Sequence, residues 1–244
     1  MKRYITVFIL AIALVINFSS SIYSQDDCCG IGSIFSSLIQ SGIFGGYGLQ
    51  QYSAKGLNEV LPQDAGFKDY GTAWGWRVGA NVIQVRQRNI LIGLKFYYQS
   101  MTESQERAEQ DFTQEISLKL TQWNFGLSLS YIASQAFDIR IFDAYLSWTG
   151  AELTNKFKTD NPPEDDVYKS PEASLGFTAN AGIVWYPSPT ATYMSLEVLG
   201  GYSLFSIDEA KLKEGTSSLQ TIQDIVDGGG FFAVAVLTVG IPFN

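Results

Sequence analysis

Apolar and polar positions alternate along much of the chain, with a period of two. In SLGFTANAGIVW, Leu175, Phe177, Ala179, Ala181, Ile183 and Trp185 share one parity, while Ser174, Gly176, Thr178, Asn180 and Gly182 share the other. Successive side chains of a strand point to opposite faces, so this segment has one greasy face and one small or polar face. Eight segments read in this way, at about 43–53, 72–86, 89–102, 111–133, 137–150, 172–186, 191–205 and 229–243. Gly, Pro, Asn and Asp punctuate their ends. The joints alternate too. Those around Gln87 and Arg88, at 134–136 and at Pro187-Ser188-Pro189 are tight, whereas 54–71, 103–110, 151–171 and 206–228 are long. An even number of antiparallel strands with turns on one rim and loops on the other predicts an all-β fold: an eight-stranded antiparallel up-and-down transmembrane β-barrel, both termini on the turn side.

The parities assign the faces. The second segment turns Trp74, Trp76, Val78, Ala80 and Val82 outward and Gly75, Arg77, Gly79 and Asn81 inward. The third turns Ile90, Ile92, Leu94, Phe96 and Tyr98 outward and Gly93, Lys95, Tyr97 and Gln99 inward. A Lys or Arg facing lipid near the midplane costs roughly 2–4 kcal/mol, which fixes these choices. Arg140 and Asp143 lie on opposite parities, so a bulge near Phe142 is expected to turn both away from lipid. Glu197 joins the inward set, with Met194, Leu196 and Val198 outward. The interior of an eight-stranded barrel is just wide enough for side chains to fill. Arg77, Lys95, Arg140, Asp143 and Glu197 therefore read as a paired charge network that plugs the lumen, with ion conduction or ligand binding as the alternative. In the last strand, even-numbered Val234, Val236, Thr238 and Gly240 face inward, so the lumen beside it is greasy.

Large aromatics are expected at the two membrane interfaces. Trp123 and Tyr131, Phe137 and Trp148, Tyr193 and Tyr202, and Phe231 and Phe243 are each separated by about one bilayer crossing of 9–11 residues. Trp185 stands at the turn rim, and Trp74, Trp76 and Tyr98 toward the other. The fourth strand is longer than a membrane requires; its first half, from Thr113 to Thr121, reads as a solvated stalk beyond the outer rim, with pairing to a partner as the alternative.

Composition limits the rest. Charged residues are only 16% of the 244, and residues 1–24 read as a basic start, an apolar core and a small-residue end at Ser24, the order of a secretory signal peptide. Its removal takes away Lys2 and Arg3 and moves the net charge from −8 to −10. Nucleic acid is not an expected partner of so acidic a chain. Residues 25–41 form a short N-terminal periplasmic segment ahead of the barrel at 42–244, with an amphipathic helix candidate at 30–41. Cys28 and Cys29 are adjacent, cannot staple distant segments, and read as a tail thiol pair.

There is no histidine, which removes Ser-His-Asp and Cys-His catalysis, histidine-based zinc sites and the commonest general base. Glu164, Asp165 and Asp166 lack the spaced ligands of a calcium loop and read as a solvated acidic loop. GIFGGYG lacks the Lys-Ser/Thr ending of a phosphate loop, so its glycines are assigned to strand crowding. AKGLNEVLPQ reads as a helical turn ended by Pro62. SSLQTIQDIVDGGG reads as a short helix with the stripe Leu219, Ile222, Ile225 and Val226, folded over the barrel mouth. No enzyme, cofactor or metal is expected.

The signal segment, the eight strands, SLGFTANAGIVWYPSP, SLEVLGGYS and the closing VAVLTVGIPF together resemble the small outer-membrane β-barrel superfamily, which includes the membrane domain of outer membrane protein A and the opacity proteins. The resemblance covers about residues 42–244. It implies residence in the cell outer membrane of a Gram-negative envelope and insertion by the barrel-assembly machinery, which reads the last strand and its terminal aromatic; here Asn244 follows Phe243. The periplasmic peptidoglycan-binding domain of larger members is missing, so that anchoring is not expected. The leading expectation is a monomeric, non-enzymatic barrel with a filled lumen, in contact with outer-membrane lipid, serving envelope structure or surface contacts through acidic loops. A narrow porin or a barrel for a small hydrophobic ligand is the alternative, and a secreted soluble barrel a third.

Overall fold

The computed structural model describes residues 42–61, 67–108, 113–158, 165–187 and 194–240. Residues 1–24, expected to be a signal segment, and Cys28, Cys29, Tyr193 and Phe243 lie outside the described residues, as does most of the Pro187-Ser188-Pro189 joint. The strands are β1 (Gly42–Ser53), β2 (Thr72–Gln87), β3 (Ile90–Ala108), β4 (Thr113–Ile132), β5 (Phe137–Lys158), β6 (Asp166–Lys169), β7 (Ser174–Trp185), β8 (Met194–Leu204), β9 (Ile207–Glu214), β10 (Thr221–Val226) and β11 (Gly228–Gly240); one helix, α1, spans Lys55–Val60.

Eight of these strands close on themselves. Antiparallel pairing runs β1–β2–β3–β4–β5–β7–β8–β11 and returns from β11 to β1, where Gly42 faces Gly240 and Ser53 faces Gly228. A closed ring leaves no barrel edge unpaired, which a lipid environment demands. β2 and β3 are joined at Arg88 and Asn89, with Arg88 in the left-handed region at φ 54°. The expected bulge is present: Ser130 pairs with Arg140 and Leu129 with Phe142, so that Ile141 and Phe142 both face out while Arg140 and Asp143 both face in. A second bulge lies at Val82 and Ile83, both exposed, and returns Gln84 to the interior.

The structure corrects the sequence reading at the loop rim. β3 and β5 run well past 102 and 150, and their extensions pair along the first half of β4 through Ala108–Thr113–Lys158. This is not a solvated stalk. One face of the extended sheet carries Ile116, Leu118, Leu120, Ala151 and Leu153, all buried, because β6, β9 and β10 add on beyond β5 and fold back with Tyr70, Phe205 and Ile225 over it. The result is an apolar roof on the barrel. The segment expected to be a helix, 217–230, instead holds β10, paired with β9 from Thr221↔Lys211 to Val226↔Ile207. The other predicted helical turn is α1, which buries Leu57 in the roof.

Polar anchors position these pieces. Glu103 Oε2 accepts from the Tyr52 hydroxyl at 2.7 Å and from the backbone N–H groups of Gly71 and Thr72 at 3.0 and 2.7 Å. Burial first, and then Glu103, push the Tyr52 phenol well above its ordinary range. Gly215, at φ 110°, turns the chain after β9 where Asp166 Oδ1 accepts from Thr216 and Ser217 N–H, each at 3.1 Å. Gly56 of α1 lies against the carbonyls of Gln223 and Asp224, so close that a Cβ would collide with them. The helix thus covers the outer edge of β10, which no strand pairs among the described residues. Above the β1–β11 seam, Asp227 accepts from Ser53 Oγ at 3.0 Å and from the Lys55 N–H at 2.9 Å. Partial burial opposes the charged form, but these hydrogen bonds outweigh it and hold the Asp227 carboxyl below the usual carboxylate range.

Candidate functional site

Among the described residues, polar chemistry is concentrated and shielded in the lumen. Along β3 the inward residues Lys95, Tyr97, Gln99 and Met101 are all buried, and they read off its layers in order from the turn rim to the loop rim: charged, aromatic, amide, apolar.

In the charged layer, Lys95 Nζ lies 3.5 Å from Asp143 Oδ2 and 3.6 Å from Glu197 Oε2. Arg140 NH2 donates to Glu197 Oε2 at 2.9 Å, and its Nε stands 3.6 Å from Asp143 Oδ1. Thr238 Oγ1 donates to Glu197 Oε1 at 2.8 Å and the Tyr145 hydroxyl to Asp143 Oδ2 at 2.9 Å. Two cations and two carboxylates thus form a neutral quartet in which each charge touches both opposite charges. The β5 bulge makes it possible by putting Arg140 and Asp143 on the same face. Nearer the turn rim, the buried Asp138 carboxylate accepts from the Tyr186 hydroxyl at 2.6 Å.

Arg77 stands apart from the quartet that the sequence groups it with. Its NH2 donates to Gln99 Oε1 at 3.2 Å, and its Cζ lies 4.8 Å from the Tyr97 ring centroid and 5.2 Å from that of Phe232. The aromatic layer around it contains Phe44, Tyr97, Tyr145 and Phe232 with Leu199, Val234 and Val236; Tyr97 and Tyr145 meet edge to face at 5.0 Å. The inward apolar parity of β11 thus ends up in an interior cluster.

The amide layer joins inward residues that parity places on the lumen face without showing that they connect. Gln99 Nε2 donates to Gln50 Oε1 at 2.7 Å and to Gln122 Oε1 at 2.9 Å. Gln122 Nε2 continues to Thr149 Oγ1 at 3.0 Å and Ser203 Oγ at 3.3 Å; Thr178 and Ser203 are 2.8 Å apart, and Ser147 donates to Asn124 Oδ1 at 2.6 Å. The network crosses six ring strands. Gln99 and Thr178 lie on the inward parity read from the sequence, whereas their hydrogen bonds to residues of other strands depend on the stagger of the ring, which parity does not give.

The outward face carries the aromatics. Trp74, Trp76, Trp123, Trp148 and Tyr202 are exposed toward the loop rim, with Tyr98 between Trp76 at 5.5 Å and Trp123 at 4.7 Å. Tyr131, Phe137 and Trp185 are exposed at the turn rim, Phe137 pairing with Trp185. From Phe137 to Trp148 along β5, at about 3.3 Å per residue and a tilt near 40°, the band is about 28 Å tall, close to the roughly 25 Å of the apolar band of outer-membrane barrels. Between the rims the exposed residues are apolar, among them Ile139, Ile183, Leu196, Val198 and Leu237. Among the described residues no helix is long and apolar enough to cross a membrane, and no group of three or more His, Cys, Asp or Glu is placed to hold a metal ion.

The fold is an all-β, outer-membrane-type β-barrel of eight ring strands, as the closed hydrogen-bond ring and the outward apolar band define it. No family model and no curated protein matches the chain. Among solved structures it is similar to the attachment invasion locus protein Ail of Yersinia pestis (11% identity, 84% of this chain and 99% of that one, TM-score 0.42). It is also similar to the outer membrane protease OmpT from Escherichia coli (11%, 83% and 95%, 0.41) and to Neisserial surface protein A (13%, 82% and 96%, 0.33). At such identities and scores the likenesses carry no activity over to this chain.

Proposed function

We propose that this chain is a non-enzymatic, monomeric outer-membrane barrel, exported by residues 1–24 and inserted by the barrel-assembly machinery, with its turn rim in the periplasm and its roofed rim outside the cell. It serves envelope structure or surface contact rather than passage. The observation that carries this reading is the lumen, filled in succession by the charged quartet, the aromatic layer, the amide network and the apolar roof. Four consecutive layers of buried side chains, the last of them apolar, favour a filled lumen over a water-filled route. The surface available for contact is the outer face of the roof sheet, where Lys169 pairs with Glu152 at 3.0 Å and Lys158 with Glu115 at 3.0 Å. That face mixes both signs, so contact through it depends less on net acidity than the loop composition suggests.

Reconstitution into planar bilayers tests the reading. The intact protein is expected to show no discrete conductance steps, and regular steps that persist at high purity would overturn it in favour of a narrow pore.

A further inference from the structure

Among the described residues, Arg77 is a buried cation with no carboxylate paired to it. It is 3% exposed, and the lumen carboxylates are engaged elsewhere, Asp143 and Glu197 by Lys95 and Arg140, Asp138 by Tyr186. Its only hydrogen-bond acceptor among the described residues is the neutral Gln99 Oε1, and its Nε has none. A lone guanidinium out of water is strongly unfavourable without compensating negative charge, and two aromatic faces return only part of that cost.

A second observation concerns the polar atoms around it. Arg77 can only donate, so Gln99 must present its carbonyl to it; the Gln99 NH2 then donates to Gln50 Oε1. This fixes the orientation of both amides and leaves Gln50 Nε2, in a residue 2% exposed, as an unused donor. The Tyr97 hydroxyl, 1% exposed, is also without a partner. Around the quartet the unpartnered atoms are of both kinds: Asn81 Oδ1, Asp143 Oδ1 and Asn180 Oδ1 accept, while Arg140 NH1 and Asn180 Nδ2 donate. A mixed set suits water. An unused amide donor and a hydroxyl free to donate, beside an uncompensated positive charge, suit an anion.

We propose that Arg77 holds a small monovalent anion of halide size inside the barrel, with the Gln50 amide and the Tyr97 hydroxyl as further donors. A single guanidinium with two neutral donors matches one negative charge and falls short of the charge and donor number that a sulfate or phosphate requires. The aromatic walls, Tyr97 and Phe232, exclude water and strengthen the attraction. The site goes beyond the function proposed above, because neither a plugged lumen nor a surface contact requires it.

The probe is bromide. Protein in detergent micelles and sodium gluconate is titrated with sodium bromide at constant ionic strength while thermal unfolding is followed by tryptophan fluorescence. The midpoint is expected to rise saturably, by about 5 °C at a hundredfold excess over Kd. The rise should vanish in Arg77→Met and Arg77→Gln and persist in Lys119→Gln, which alters an exposed cation. Crystals of the unaltered protein soaked in bromide should show an anomalous peak within hydrogen-bonding distance of Arg77, a readout that stands even if the variants fail to fold. A flat midpoint, a rise retained in Arg77→Met, or bromide density everywhere except at Arg77 would overturn the proposal.

Discussion

Buried charge in this barrel is arranged by residue rather than by strand. Asp143 receives Lys95, Arg140 and the Tyr145 hydroxyl at once, so it neutralises more than any single pair would suggest. Asp143→Asn leaves two buried cations facing one carboxylate, and breaking such a set costs about 3–5 kcal/mol. Tyr145→Phe removes one charge-assisted hydrogen bond, worth about 1.5–3 kcal/mol. Urea unfolding in lipid vesicles should rank the two variants in that order; an Asp143→Asn midpoint equal to that of the unaltered protein would show that the quartet contributes nothing. The inward placement of Lys95, Arg140, Asp143 and Glu197 was legible in the sequence because lipid punishes the other choice. The separation of Arg77 from them was not, since parity fixes a residue's face but not which of its neighbours the tilt of the strands brings within reach.

Among elements, the ring strands were readable and the roof was not. Strands within the membrane alternate greasy outside and polar inside, whereas TGAELTNKFK continues the same period with charges outside and Ala151 and Leu153 inside. A reader who expects lipid on the outer face stops at Gly150, although β5 continues to Lys158. β10 misleads for a different reason. Its buried residues are Ile222, Ile225 and Val226, a helix-like spacing, because Asp224 adopts φ 48° and the pairing with β9 shifts between Gln223 and Val226. A bulged strand has imitated a helical stripe. The roof should therefore behave as a folded layer: Leu118→Ala, at a fully buried position, is expected to cost about 2–5 kcal/mol. Limited proteolysis should cut the loop-rim segments of this variant sooner while the ring strands stay resistant; unchanged cleavage would mean that the apolar cluster does not hold the roof.

For the whole molecule, polarity is inverted at one height and conventional at another. Within the band the outside is greasy and the inside polar; above it the outside is charged and the inside greasy. Val198, 67% exposed and near the middle of β8, tests which solvent surrounds the band. Val198→Arg should cost roughly 2–4 kcal/mol in a bilayer. In a soluble barrel the same change would be close to neutral, and an unchanged unfolding midpoint in vesicles would argue against lipid at that face.

Every neighbouring pair in the ring is tied by a connecting segment except β11 and β1, which are held together by non-covalent contacts. The Asp227 contacts with Ser53 and Lys55 lie directly above that joint, and Asp227 N–H returns a bond to the Ser53 carbonyl at 2.9 Å. The first and last strands are thereby latched as if the chain were circular. Under mechanical load, the terminal strands cannot peel away from the loop end; a pull at either terminus has to unzip the seam from the turn rim and meets the latch last.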